Sequence, residues 1–218
     1  MIVSIHQPAY LPWLGYLSRI AESDIFVFLD SVQFEKNSYT NRNKIKTASG
    51  PIWLTIPVRL QGHLDKLLFE IEVDQSQPWL KKHLKSIEYS YRNAPDFSRK
   101  MALISDLYHR CDHVNFSNFC FEQLEFWLEQ LDIKTKIIRS SSLNLSSRKS
   151  DLVLDICQSL GASSYLSGPF GRDYLDVNKF LAENINVNFH EYKHPEYPQL
   201  HGDFVPAMGV IDFWFNCK

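Results

Sequence analysis

The hydrophobic pattern sets the order of the elements. "MIVSI" is a short apolar run of the kind a buried strand needs. Residues 12–22, "PWLGYLSRIAE", follow with a helical period that places Trp13, Leu14, Leu17, Ile20 and Ala21 on one face. Pro12 suits the first turn of that helix. "DIFVFLD" then gives a second buried strand that ends in Asp30. Two apolar strands joined by one helix predict a βαβ unit and a parallel sheet. "IWLTIPV" (52–58) reads as a third strand, and "LLFEIEV" (67–73) alternates like a half-buried strand near an edge. Helical periodicity dominates residues 79–131 and breaks at Ala94-Pro95, so helices are expected over 79–92, 96–110 and 116–131. Residues 134–141 read as a fourth parallel strand. A punctuated helix is expected over 150–161, with Ser150 as N-cap and Gly161 as stop. Strands over 163–168 and 187–192 complete the pattern, and the Pro- and aromatic-rich tail from Lys193 reads as an ordered wrap. Trp13 and Trp53, both on apolar faces, are expected to be largely buried. The chain of 218 residues is long enough for a single α/β domain over 1–218 with a helical subregion at 79–131.

Composition adds exclusions. Hydrophobic residues make up 44% and charged residues 22%, the balance of an ordinary globular chain. A net charge of −2 carries no basic excess that would point to nucleic acid or to an anionic membrane surface. No apolar run reaches the roughly 18 residues a membrane span needs. The N-terminus enters a strand with no basic n-region or long apolar h-region, so a cytoplasmic protein is expected. Cys111, Cys120, Cys157 and Cys217 are widely spaced and fit reduced core thiols.

Candidate chemistry gathers at strand ends, where an open parallel sheet binds ligands. His6 and Gln7 follow the first strand; Asp30, Ser31 and Gln33 follow the second. Ser140 and Ser141 follow the fourth, and Ser167, Gly168, Gly171, Arg172 and Asp173 follow the fifth. Any one of these could be a solvated loop; their shared position at one sheet edge favours a site. His6, beside a helix start, suits phosphate contact or acid–base work, with Asp30 as a second catalytic candidate. The densest polar run, "EKNSYTNRNKIK" (35–46), holds Lys36, Asn37, Asn41, Arg42, Asn43, Lys44 and Lys46. Its forked cations and amides suit an anionic ligand with a polar body, such as a nucleotide-sugar, and its plain alternative is a solvated basic loop. His190, His194 and His201 lie near carboxylates, yet their spacing matches no established ligand pattern, and no metal is expected there.

"HQPAYLPWLGY", "LDSVQFEKNSYTNRNKIK", "LTIPV", "YLSGPFGRDYLD" and "YKHPEYPQLHGDFVPAMGVIDFWFN" together resemble the WbqC-like protein family, over residues 3 to about 216. The resemblance implies a bacterial enzyme of O-antigen and other surface-polysaccharide biosynthesis. The expected reaction is transfer of an acyl or aminoacyl group, from an activated donor, to an amino-sugar carried on a nucleotide. The chain stops where relatives usually continue for several residues, which points to a C-terminus short of the natural one. The opening strand, Pro-containing loop and "WLGYLSRI" are also similar to the start of HIGH-type nucleotidyltransferases. That likeness implies a Rossmann-like, HUP-like sheet with helices on both faces. Gly15 is followed by Tyr16 where that motif has its second His, so magnesium-dependent nucleotidyl transfer from a nucleoside triphosphate stands as the alternative, beside a non-catalytic nucleotide-sugar binding protein.

Overall fold

The computed structural model describes residues 1–35, 38–59, 61 and 66–217. Lys36 and Asn37 of the polar run therefore lie outside the described residues. In chain order the elements are β1 (Ile2–His6), α1 (Leu14–Ala21), β2 (Ile25–Phe28), β3 (Arg42–Thr47) and β4 (Gly50–Thr55). Then come α2 (Trp79–Tyr91), α3 (Phe97–Arg110), α4 (Phe116–Gln130), β5 (Lys136–Arg139), α5 (Lys149–Ser159) and β6 (Ser164–Ser167). The chain closes with α6 (Val177–Ala182), β7 (Asn186–Phe189) and α7 (Val210–Cys217).

Five strands form one sheet in the order β5-β2-β1-β6-β7, and every pairing in it is parallel. Counted along the chain, this is the 3-2-1-4-5 order of a Rossmann-like fold. Alternation of side chains across the sheet divides the core in two. Phe26 and Phe28 face a layer with Tyr16, Leu17 and Ile20 of α1, Phe116, Leu124 and Trp127 of α4, and Trp214 of α7. Val3, Ile5 and Val27 face Leu152, Val153 and Ile156 of α5 and Phe180 of α6. A sheet covered on both faces explains why its strands β1 and β2 read as nearly continuous apolar runs.

Several expectations change. "IWLTIPV" does not join the main sheet: β4 pairs antiparallel with β3 as a separate two-stranded unit. Its polar partner, where no strand is expected, is a strand because its buried polar groups find distant acceptors. Asn43 Nδ2 donates to the Leu11 carbonyl at 2.5 Å, and Lys46 Nζ to the carbonyls of Gly202 and Asp203. Residues 67–73 form isolated bridges around a 3-10 turn at Leu68–Glu70 in place of an edge strand. Ser150 does not cap α5; its hydroxyl accepts from the Asp176 amide, and the N-cap position falls to Arg148. Trp53 is 41% exposed on the outer face of the hairpin, under Arg42 and Lys44, and Trp13 is half-buried. Cys111, Cys120 and Cys157 are buried, but Cys217 is exposed. Among the described residues no helix is long and apolar enough to cross a membrane.

The tail does wrap, and it ends in a helix the sequence pattern did not disclose. Asp212 of α7, itself buried, accepts from Tyr91 at 2.7 Å, Tyr197 at 3.0 Å and Gln199 at 2.8 Å. The Val210 amide donates to the Pro12 carbonyl at 2.8 Å, and the Gly209 amide to Lys44 at 2.9 Å. The returning tail thus clamps the loop between β1 and α1. Leu11 in that loop holds φ 45, a conformation that costs on the order of 1 kcal/mol for a residue with a Cβ. It is kept there by Asn43 on one side and by Gly209 on the other, where a Cβ would sit 2.9 Å from the Leu11 carbonyl.

Candidate functional site

Strand order reverses between β1 and β6, so the loops that follow these two strands part and leave a crevice. A cavity of about 960 Å³ opens there. Its wall carries His6 and Gln7 from the end of β1, Trp13 from the N-cap of α1, Gly15, Tyr16 and Arg19 from α1 itself, and Tyr165, Ser167 and Gly168 from β6 and its loop. Gly171, Arg172 and Tyr174 line it from the turn beyond β6, Ser38 and Tyr39 from the segment before β3, and His190 and Tyr192 from the strand end after β7. Its size matches the ~300–1,000 Å³ of small-molecule sites, and its mix of aromatic walls with a few convergent polar groups is their usual chemistry.

The sequence candidates divide. His6, Gln7, Ser167, Gly168, Gly171 and Arg172 share this cavity. Asn41 and Arg42 line a second cavity of about 460 Å³ between the hairpin and Asp74. Asp30, Gln33, Asn43, Lys44 and Asp173 line neither. Asp30 is fully buried and accepts from Ser140 Oγ at 3.1 Å, the Ser141 amide at 2.9 Å, Ser141 Oγ at 3.0 Å and Ser117 Oγ at 3.4 Å. Arg139 stands 3.7 Å away. These bonds tie the ends of β2 and β5 together, so Asp30 and the two serines are occupied with holding the sheet edge. Asn41 Nδ2 donates to the Ile56 carbonyl, and Asn43 fixes Leu11. The three tail histidines go separate ways. His190 Nε2 meets Glu22 at 3.1 Å and Ser18 at 3.3 Å, His194 accepts from the Ala207 amide, and His201 donates to the Ser90 carbonyl.

His6 has a defined state. Its Nδ1 lies 2.9 Å from the Gln7 carbonyl, which can only accept, so Nδ1 carries the proton and Nε2 is left as an acceptor. The ring is held edge-on between Trp13 and Tyr16, at centroid separations of 5.7 and 4.9 Å. Burial, and then the charge of Arg19, push its pKa down to about 3; the bond to Gln7 opposes them. The imidazole is therefore neutral at physiological pH.

Arg19 is the residue that reading the sequence missed. It lies on the face of α1 shared by Gly15 and Tyr16, one turn earlier, and is only 5% exposed. Its Nε is buried without a hydrogen-bond partner among the described residues. Burial lowers its pKa, and the groups bearing on it are Tyr165, Tyr16 and Tyr174, with no carboxylate among them. Its guanidinium lies across Gly168: a Cβ there would overlap Nη1 and stand 3.5 Å from Cζ. Gly171 is equally constrained, since a Cβ would overlap Ser167 Oγ and stand 2.9 Å from Leu175 Cδ1. The signal for Arg19 was a cation on an otherwise apolar helical face.

Residues 7–218 match the model of the WbqC-like protein family. An uncharacterized protein of Mycobacterium tuberculosis, Rv1507c, is 33% identical over 215 residues, which cover 98% of this chain and 93% of that protein. No solved structure matches the chain.

Proposed function

This chain belongs to the WbqC-like protein family, and from that premise we propose that it is a transferase of bacterial surface-polysaccharide (O-antigen) biosynthesis. It binds an amino-sugar carried on a nucleotide and transfers an acyl or aminoacyl group to the sugar amine. The supporting observation is that the ends of β1 and β6, which flank the switch point, place His6 and Ser167–Gly168 on one cavity of nucleotide-sugar size. His6 Nε2 is the proton acceptor in this reading: as the amine nitrogen bonds to the acyl carbon, Nε2 takes the amine proton and the donor's leaving group departs with its electron pair. Arg172, exposed at the mouth with its guanidinium 4.3 Å from the Phe189 ring centroid, is placed to meet phosphate from outside. Arg42 and Lys44, on the hairpin and stacked over Trp53, drop out of this role.

The test is a thermal-shift screen of nucleotide-sugars, followed by turnover of the ligand found with acyl and aminoacyl donors. His6→Asn should lower turnover by ~10²–10⁴-fold, the worth of one positioned proton-transfer group, with a smaller change in affinity. A stable His6→Asn protein with full activity would remove His6 from the reaction. Magnesium-dependent nucleotidyl transfer predicts instead that a nucleoside triphosphate binds and that a chelator abolishes pyrophosphate release.

A further inference from the structure

Within the cavity just assigned, and resting on that reading, we propose that Arg19 is the receptor for the ligand's diphosphate. A buried cation without an anion of its own is a costly arrangement, because the charge has left water and gained nothing in exchange. Among the described residues the missing partner is not supplied: Nε has no hydrogen bond, and the groups that bear on the guanidinium are the phenols of Tyr165, Tyr16 and Tyr174 and the neutral His6 ring. The neighbouring wall is shaped around it, since Gly168 is the one residue type whose lack of a side chain lets the guanidinium lie against the β6 loop. Gly168 has φ −70 and ψ 167, an extended conformation open to any residue, so the backbone does not require glycine there. What requires glycine is the position of Arg19.

The chemistry of the surroundings selects the anion. A guanidinium presents a planar fork of donors that matches two phosphate oxygens, and it binds them bidentately where a lysine would act as a point charge. Tyr165 and Tyr174 beside it are held in the protonated form by burial and are hydrogen-bonded to each other, which leaves one hydroxyl of the pair to donate to a further oxygen. Arg172 adds a second cation at the mouth. A diphosphate placed between Arg19 inside and Arg172 outside leaves the sugar toward His6. It also neutralises the Arg19 field that bears on the imidazole, so ligand binding strengthens the base.

The experiment is isothermal titration of the full chain with inorganic pyrophosphate and with uridine diphosphate, for the wild type, Arg19→Gln and Arg19→Lys. Melting temperatures are recorded without ligand. Wild type should bind both probes, Arg19→Gln should bind them at least tenfold more weakly, and Arg19→Lys should fall between. Ligand-free Arg19→Gln should melt no lower than wild type, because it removes an uncompensated buried charge. A purely structural arginine would give the opposite pair of results: a lower melting temperature and unchanged affinity in the folded fraction. Should Arg19→Gln not fold, Gly168→Ala displaces the guanidinium without removing it and must give the same loss of binding. Failure of the wild type to bind either probe overturns the proposal. So does equal binding of a nucleotide-sugar by wild type and Arg19→Gln, which would leave the broader reading of the cavity standing. Pyrophosphate binding that depends on Arg19, with no nucleotide-sugar bound at all, would keep the receptor and overturn the choice of ligand.

Discussion

Gly168→Ala isolates the position of one charge from everything else in the site. The substitution adds a single methyl group at a residue with φ −70 and ψ 167, so it introduces no backbone strain. Replacing glycine by alanine at a compatible position stabilises a folded chain by roughly 0.4–1 kcal/mol through the unfolded state. Against this, the methyl would overlap Arg19 Nη1 and sit 3.5 Å from Cζ and 4.0 Å from Nη2. The overlapped atom is the far end of a long side chain, so the guanidinium moves and the fold survives. The melting temperature should therefore stay close to that of wild type, with the two small effects of opposite sign. Binding should not survive in the same way: a displaced guanidinium loses a charge-assisted hydrogen bond worth roughly 1.5–3 kcal/mol, or about 10–150-fold in affinity. Calorimetry with a nucleotide-sugar that binds wild type reads this directly. The stronger demand falls on the double variant. Gly168→Ala acts only through Arg19, so adding it to Arg19→Gln should cost nothing further, and the coupling energy should equal the loss from Gly168→Ala alone. Additive losses, or wild-type affinity in Gly168→Ala, would refute the reasoning.

Two further outcomes follow from the packing. His6 and His83 are both held neutral, with pKa values pushed down by burial to about 3 and about 4; unfolded, each titrates near 6.5. A depressed histidine pKa means the unfolded chain takes up the extra protons, so this stability is fully present above about pH 6.5 and is lost as pH falls toward 4. At pH 5 each histidine costs about 2 kcal/mol, and urea melts at pH 7.5 and pH 5.0 should differ accordingly, with His83→Gln reducing the difference by about half. Gly171→Ala, whose methyl would overlap Ser167 Oγ and press on Leu175, should destabilise by about 1–3 kcal/mol as an overpacked site; an unchanged melting temperature would show that the β6 loop yields freely.

Much of the fold was legible because its signals are local. β1 and β2 are short apolar runs, β5, β6 and β7 each carry two apolar residues in a short strand-like stretch, and α2, α3, α4 and α5 carry their own periodicity, so their type follows from a window of a dozen residues. The β3–β4 hairpin was half-hidden because Asn43 and Lys46 look like loop residues until their acceptors, at Leu11 and at Gly202–Asp203, are brought close by the rest of the chain. Residues 67–73 alternate as a strand would, but their neighbours offer isolated bridges and no continuous partner. The short helix α7 was obscured by the Pro- and aromatic-rich stretch before it, and what fixes it is the reach of Tyr91 and Tyr197 to Asp212.

The site divides along the same line. The strand-end rule placed His6, Gln7, Ser167, Gly168, Gly171 and Arg172 at one edge, and these share the cavity because β1 and β6 are neighbours at the switch point. The rule could not distinguish the β2 end, where Asp30 is consumed by Ser117, Ser140 and Ser141. Nor could it reach Arg19, which sits in the last turn of α1. The importance of Arg19 lies in the absence, among the described residues, of a carboxylate bearing on it, and only a three-dimensional arrangement displays that.

The central claim is that the crevice between the ends of β1 and β6 holds a nucleotide-linked sugar by its diphosphate. A crystal structure of the chain with the strongest nucleotide-sugar from a thermal-shift screen tests it most directly. The account predicts phosphate oxygens within about 3 Å of the Arg19 guanidinium, the ligand backbone passing over Ser167–Gly168, and the sugar on the side of His6 Nε2. Electron density for the ligand on the Arg42–Lys44 face of the hairpin, or in the crevice with its phosphates turned away from Arg19, would contradict it.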